Sequence, residues 1–381
     1  MAHRSYRAFF IEGISKKRNI SRSQQSVIVF FAYFCSMIQG HGDDIYEYEG
    51  TIRHNFSSNV FHAIRMPGLE EHLRESIGCI GNYPPVEASM PERMLSMRHG
   101  NRQHENLITS GATEAIYLIA LATASPGSND CRCHSAIVVP TFSEYEDACR
   151  LYGHEVSHIR SLHEVNDEMN MVWLCNPNNP TGSVIPKSQL VEAAFSHPHT
   201  VFVVDQSYAF FCREELLQPR EVAQMGNVIL LHSMTKKYSI PGLRLGYVTG
   251  PLPLIDTLRM HRMPWTVNAL AMQACLYILE NEHLFHFNID QYLQEAQQLN
   301  AAINAIDGLE ALPTRTHFML VRMAKGDSIL LKRKLVDEYG ILIRSAHNFA
   351  GLNHRYFRVA AQTEEENRLL VDALKNLVNK C

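Results

Sequence analysis

Ser233, Lys236 and Arg244 fall within one short stretch, 233-SMTKKYSIPGLRLGY-247, directly after the apolar run 228-VILLH-232. A lysine held beside apolar residues loses hydration, its pKa falls, and its amine becomes a nucleophile toward carbonyl carbon. Lys237 is adjacent, so the reactive amine is one of two. Three other polar clusters also follow apolar runs. In 201-VFVVDQSYAFF-211, Asp205 ends the run and Tyr208 comes three residues on. Such a carboxylate caps a helix or meets solvent at a strand end, or it serves as a fixed counter-charge. The turn 176-NPNNPTG-182 follows 171-MVWLC-175 and aims several amide side chains locally. The stretch 109-TSGATEAIYLIA-120 opens a helical pattern on small residues, where free N–H groups and the positive helix end suit a phosphate. It lacks the lysine of a P-loop and is no dinucleotide fingerprint, so an ordinary capped helix is the competing reading.

The elements that must hold these residues are legible in outline. The runs 136-AIVVP-140, 171-MVWLC-175, 201-VFVVD-205 and 228-VILLH-232 are β-branched and almost continuously apolar. That pattern fits strands covered on both faces, as in a parallel sheet between helices. Ligands of such sheets bind at the carboxyl ends of the strands, where the polar clusters lie. A long helical stretch over residues 267–305 follows. Beyond it 317-HFMLVRM-323, 341-ILIRS-345 and 356-YFRVAA-361 read as amphipathic strands between helices, which predicts a smaller α+β domain.

With 381 residues the chain is long enough for two domains. A hydrophobic share of 46%, a charged share of 19% and a net charge of −4 describe an ordinary globular protein, with no electrostatic grip on nucleic acid. Nine cysteines lack a disulfide spacing, which predicts reduced thiols and a cytoplasmic protein. Cys131, Cys133 and His134 are close enough to begin a metal site but have no partner cluster, so a surface loop and no metal are expected. The N-terminus is basic and polar, then apolar in 26-SVIVFFAYFCSM-37. This resembles a secretory signal, but no small-x-small cleavage site follows convincingly and the run is too short to span a bilayer. The favoured expectation is that Met37 is the natural start, and that residues 1–36 are weakly ordered with little part in the chemistry.

Together, and in this order, the motifs resemble the fold-type I pyridoxal-phosphate enzymes of the aspartate aminotransferase superfamily. The order is a small-residue loop, an aromatic after Pro-Thr, Asn-Pro-x-Asn-Pro-x-Gly, a strand-end Asp with Tyr three on, and Ser-x-x-Lys with Arg eight later. The resemblance runs from about residue 40 to 381. It implies an α/β fold with a large, mostly parallel sheet between helices and a smaller α+β domain. The implied divisions are 1–36 as an extension, 37–75 as an arm, 76–275 as the large cofactor-binding domain and 276–381 as the small domain. It implies pyridoxal 5'-phosphate as cofactor, with Lys236 as its Schiff-base lysine and Lys237 left with a helix-like or solvated role. By the same likeness Asp205 pairs with the ring nitrogen, Asn179 and Tyr208 bond the ring hydroxyl, and Phe142 stacks on the ring. Gly111, Ala112, Thr113, Ser233 and Arg244 cradle the phosphate. Tyr83, in 82-NYP-84, reaches the phosphate of a neighbouring subunit, which implies a homodimer. Arg358 grips the substrate carboxylate in a bidentate fork, Arg344 holds a substrate phosphate, and Asn179 also lies against the substrate.

Two groups of the superfamily compete. The Thr-Lys and Ile-Pro-Gly of 233–247, the stretch 263-MPWTVNALA-271 and the stretch 353-NHRYFRVAAQT-363 resemble the threonine-phosphate decarboxylases of cobalamin biosynthesis. The pieces 40-GHGDD-44 and 55-NFSSN-59 agree, the first with Asp43 where a glycine is usual. The expected reaction is decarboxylation of O-phospho-L-threonine to (R)-1-amino-2-propanol phosphate. The alternative is an aminotransferase acting on histidinol phosphate with 2-oxoglutarate or glutamate. A catalytically silent binding module is opposed by the intact Lys236, Asp205, Asn179 and Arg358. No nucleic-acid or membrane partner is expected.

Overall fold

The computed structural model describes residues 45–48, 50–124 and 132–378. Residues 1–36, Met37, 40-GHGDD-44 and Cys131 lie outside them. The strands, in chain order, are β1 (His54–Asn55), β2 (Asn106–Thr109), β3 (His134–Val138), β4 (Glu155–Ile159), β5 (Met171–Cys175), β6 (Val201–Asp205) and β7 (Val228–Ser233). They continue with β8 (Gly246–Thr249), β9 (Leu309–Ala311), β10 (Phe318–Met323), β11 (Ile341–Leu342), β12 (Arg344–Ser345) and β13 (Tyr356–Ala360).

Seven strands form one sheet in the order β2-β8-β7-β6-β5-β3-β4. The pairs β3–β4, β3–β5, β5–β6 and β6–β7 are parallel, and β8 runs against both of its neighbours. The continuous apolar runs have the expected cause. Alternate residues of a strand point to opposite faces, and both faces are covered. Met171, Trp173 and Cys175 join Val203, Ile229 and Leu231 under the helices Gly111–Ala122, Glu144–Leu151 and Leu252–His261. Val172 and Leu174 join Phe202, Val204, Val228 and Leu230 under the helix Lys187–Ser196.

A second sheet, β12-β13-β10-β9, is antiparallel throughout. The expected amphipathic pattern of β10 is not what forms. Five of its six residues are buried, because β10 lies between β13 and β9 and both of its faces are packed. A two-residue parallel pairing of β1 with β11 fastens residues 54–55 beside 341–342.

Two expectations are corrected. The stretch 267–305 is not one helix but two, Ala269–Asn281 and Ile289–Asn304. Phe285 and Phe287 pack against the core between them, and the Asn288 side chain accepts from the Gln291 amide to start the second helix. Cys133 and His134 are not a surface loop either. Cys133 is buried in the core and His134 begins β3, so packing decides their place; burial pushes the Cys133 thiol up to about 11. Among the described residues no cluster suits a metal ion, and no helix is long and apolar enough to cross a membrane.

Near the end of β7, His232 faces Tyr247 across the strand pair, their rings stacked 4.5 Å apart, and His99 lies 5.6 Å from Tyr247. Burial lowers His232 to about 3; burial with the charges of Arg98 and Lys237 lowers His99 to about 4. The unfolded chain protonates these imidazoles near 6.5 and the folded chain does not, so acid favours unfolding. The melting temperature is expected to fall as pH drops from 6.5 toward 4, and His232→Phe should flatten that slope in calorimetric scans.

Candidate active site

The sheet register brings the singled-out residues to one edge. Thr109, at the end of β2, faces Gly246 at the start of β8, and Gly246 faces Ser233 at the end of β7. One strand over, Asp205 faces Leu231 of β7 and Cys175 of β5. Asn179 follows β5 and Phe142 follows β3, so these side chains all leave the carboxyl edge of the parallel strands.

Asp205 is 4% exposed. Burial raises its carboxyl pKa; hydrogen bonds from Ser207 and Tyr145 and the nearby charge of Lys236 act against that rise. The Tyr145 hydroxyl donates to Asp205 Oδ2 at 2.7 Å and the Ser207 N–H to Oδ1 at 2.8 Å. The Phe142 ring meets Tyr145 edge-on at 5.8 Å, which brings it beside the same carboxylate.

Lys236 and Lys237 belong to a single helical turn, Met234–Lys237, that begins directly after Ser233. Successive residues of a helix point about 100° apart, so the two amines leave on different sides. Lys236 is close enough to Asp205 and to His317 for its charge to act on both. The solvated role expected for Lys237 is overturned. Its side chain is 27% exposed, it pairs with Glu282, and its Nζ lies 5.1 Å from the ring centres of Phe210 and Tyr238. It lines a cavity of about 440 Å³ with Arg98, His99 and Glu282, a cavity that Ser207 and Ser233 also line. Burial and the Arg98 charge lower its pKa to about 8.

Gly111, Ala112 and Thr113 open the helix Gly111–Ala122. Gly111 has φ +79°, and a Cβ there would stand 2.6 Å from Arg244 Nη2. A Cβ on Gly246 would lie 2.8 Å from the Ala112 nitrogen. Gly246 is demanded by the close approach of β8 to the backbone of the helix start, and Gly111 by its left-handed backbone. Arg244 itself has φ +55°, the left-handed region that a side chain rarely takes. Strained residues of this kind cluster at functional sites.

From the other sheet, Arg344 and Arg358 are direct cross-strand partners, so both side chains stand on one face. Both are buried. Arg358 donates to Asn179 Oδ1 and to the Ser57 carbonyl. Arg344 Nη2 donates to Asn348 Oδ1 at 2.9 Å, and its guanidinium lies over the Phe349 ring. Tyr83 faces solvent at 86% exposure, its ring 5.4 Å from that of Trp265.

Three residues at this site had not been singled out. Tyr145 lies three residues after Phe142 in 142-FSEY-145, and that helical spacing was its only signal. Asn59, whose Nδ2 donates to the Tyr208 hydroxyl at 3.0 Å, ended a quoted motif without a role. His317 was read only as the start of a strand; it is buried against the rings of Phe211, Tyr208 and Phe318, and burial lowers it to about 3.

A family model described as aminotransferase class I and II matches residues 54–374. The chain belongs to that family. Its architecture is fold type I of the pyridoxal-phosphate enzymes, with the mostly parallel sheet as its centre. A threonine-phosphate decarboxylase of Salmonella typhimurium is 29% identical over 341 residues, 85% of this chain and 91% of that protein. The crystal structure of an L-threonine-O-3-phosphate decarboxylase from Porphyromonas gingivalis is 36% identical with a TM-score of 0.81, covering 86% of this chain and all of that one. A histidinol-phosphate aminotransferase from Sinorhizobium meliloti, solved with pyridoxal-5'-phosphate, shares the fold at 20% identity. Its TM-score is 0.79, covering 95% of this chain and 99% of that one.

Gly111→Ala is expected to destabilise the family member described here by about 1–2 kcal/mol through the left-handed backbone alone. The urea midpoint should fall accordingly. Gly242→Ala is the control, since nothing lies within 4 Å of its added Cβ.

Proposed function

We propose that this protein is a pyridoxal-phosphate-dependent decarboxylase of O-phospho-L-threonine, releasing CO₂ and (R)-1-amino-2-propanol phosphate. The likeness to the Porphyromonas gingivalis decarboxylase, at 36% identity over the whole of that chain, carries the choice of reaction. The cross-strand pair Arg344–Arg358 supports the substrate class. Two guanidiniums side by side suit one phosphate and one carboxylate, because like charges directly opposite each other repel and an anion relieves them.

The residues present fit the cofactor. A buried carboxylate complements a protonated ring nitrogen, and Asp205 is such a group. A helix start against which β8 packs too closely for a Cβ at Gly246, with the Arg244 guanidinium beside Gly111, suits a phosphate. In this reading Gly111, Ala112, Thr113, Ser233 and Arg244 hold the phosphate, Asp205 the ring nitrogen, Asn179 and Tyr208 the ring hydroxyl and Phe142 the ring face. Pyridoxal phosphate, when bound, supplies an electron sink for the pair released at the substrate Cα. Lys236 Nζ would be the amine that holds the cofactor and hands a proton to the substrate Cα. Arg358, held by Asn179 and Ser57, would grip the substrate carboxylate. Arg344 fixes the far end through the phosphate.

We further propose a homodimer. By the family resemblance Tyr83, which is exposed with Trp265 and Met263, would cross to the partner's phosphate site. The proposed divisions remain an arm over 37–75, a large domain over 76–275 and a small domain over 276–381. Cytoplasm is the proposed compartment, on the unpaired spacing of the cysteines.

Two experiments test this reading. Purified protein given O-phospho-L-threonine should release CO₂ without forming a keto acid. Glutamate formed from histidinol phosphate and 2-oxoglutarate, without CO₂, would instead establish the aminotransferase. After borohydride reduction, peptide mass spectrometry should find the cofactor on Lys236. Lys236→Ala should lose that adduct and Lys237→Ala keep it.

A further inference from the structure

Asn59 and Tyr208 are 3% and 6% exposed, and they meet through one hydrogen bond, Asn59 Nδ2 to Tyr208 Oη at 3.0 Å. A phenol hydroxyl has one proton to give and two lone pairs to receive with. Here a lone pair takes the amide N–H, so the proton remains to be donated elsewhere. Burial pushes the Tyr208 phenol well above its ordinary range, so it keeps that proton wherever the protein is folded. The backbone that carries the amide is held. The Asn59 main-chain carbonyl accepts from His317 Nε2 at 3.1 Å, and the His317 ring lies 4.0 Å from that of Phe211. Burial keeps His317 neutral, so the one N–H it carries is spent on that carbonyl. On the other side, Asn55 Oδ1 accepts the N–H groups of Ser57 and Ser58 at 3.0 and 3.1 Å, which fixes the turn leading to Asn59. The Ser57 carbonyl in that turn takes Arg358.

We propose that Asn59 is a positioning residue that sets the direction of the Tyr208 hydroxyl proton, aiming it at the ring oxygen of the bound cofactor, with His317 holding the Asn59 backbone in place. This rests on the pyridoxal-phosphate reading given above. A proton donated to that oxygen stabilises its anionic form and lowers the pH at which the cofactor's visible absorbance changes. Without an opposing donor, a buried phenol turns its proton toward whichever acceptor is nearest. The segment 55–59 thereby ties one substrate arginine and one cofactor tyrosine to a single turn.

The test is a pH titration of the visible absorbance of the loaded protein, with far-ultraviolet circular dichroism as the check on folding. Tyr208→Phe removes the proton and should raise the midpoint by about one pH unit, the scale of one hydrogen bond to a charged group. Asn59→Asp keeps the shape but offers only lone pairs, so it should draw the proton inward and raise the midpoint nearly as far. Asn59→Leu removes the amide without supplying an acceptor and should move it less than half as far. An Asn59→Asp protein that titrates like the parent overturns the proposal, because the parent amide would then already take the proton with Oδ1. Equal shifts in Asn59→Leu and Asn59→Asp also overturn it, since packing alone would account for both. A parent without a visible band would instead sink the cofactor reading itself, and an unmoved Tyr208→Phe midpoint would remove Tyr208 from the ring oxygen.

Discussion

A carboxylate taken out of water needs compensation on every side, and Asp205 is placed where most of that compensation must come from other strands. It ends β6, the strand between β5 and β7, both of which run parallel to it and are packed on both faces. Burial alone drives such a group toward its neutral acid. Tyr145 and Ser207 donate to it and the charge of Lys236 lies near it, and together they hold back that drift. The same three neighbours that stabilise the charge also define where a cationic ring would sit. A buried carboxylate here is costly to the fold unless such partners stand beside it.

The rest of the edge follows from how closely its parts approach. Gly246 leaves no room for a side chain between β8 and the helix start, and Gly111 holds a left-handed backbone beside Arg244. Arg244 accepts a left-handed backbone to reach that place. The second sheet contributes differently. Its register, rather than any local loop, sets Arg344 beside Arg358, and the donation from Arg358 to Asn179 joins the two sheets.

Much of this was legible in the residues. Runs such as 201-VFVVD-205 and 228-VILLH-232 became strands over nearly the spans expected, because a strand covered on both faces leaves a continuous apolar signature. The ordered motifs also led to the right family. What stayed hidden depends on direction. Lys236 and Lys237 look alike in a string of letters; one helical turn sends the second to another side, against Glu282. Tyr145 and His317 sit in patterns that serve core packing equally well, so only the fold reveals which rings surround the site. The break between the helices Ala269–Asn281 and Ile289–Asn304 was missed because Phe285 and Phe287 keep the segment apolar while its backbone leaves the helix.

The bonds that Arg358 makes also have a temporal meaning. They link it to residues 301 and 179 positions earlier in the chain, and the two-residue pairing of β1 with β11 spans nearly as far. Contacts of such high sequence separation form late, because closing long loops costs entropy before the contact returns anything. Most of the large sheet pairs strands close in sequence, with β2 against β8 the exception. The bonds of Arg358 have no such short route, and a chain interrupted before residue 358 would hold Asp205 at the end of β6 and Lys236 in its helical turn without them.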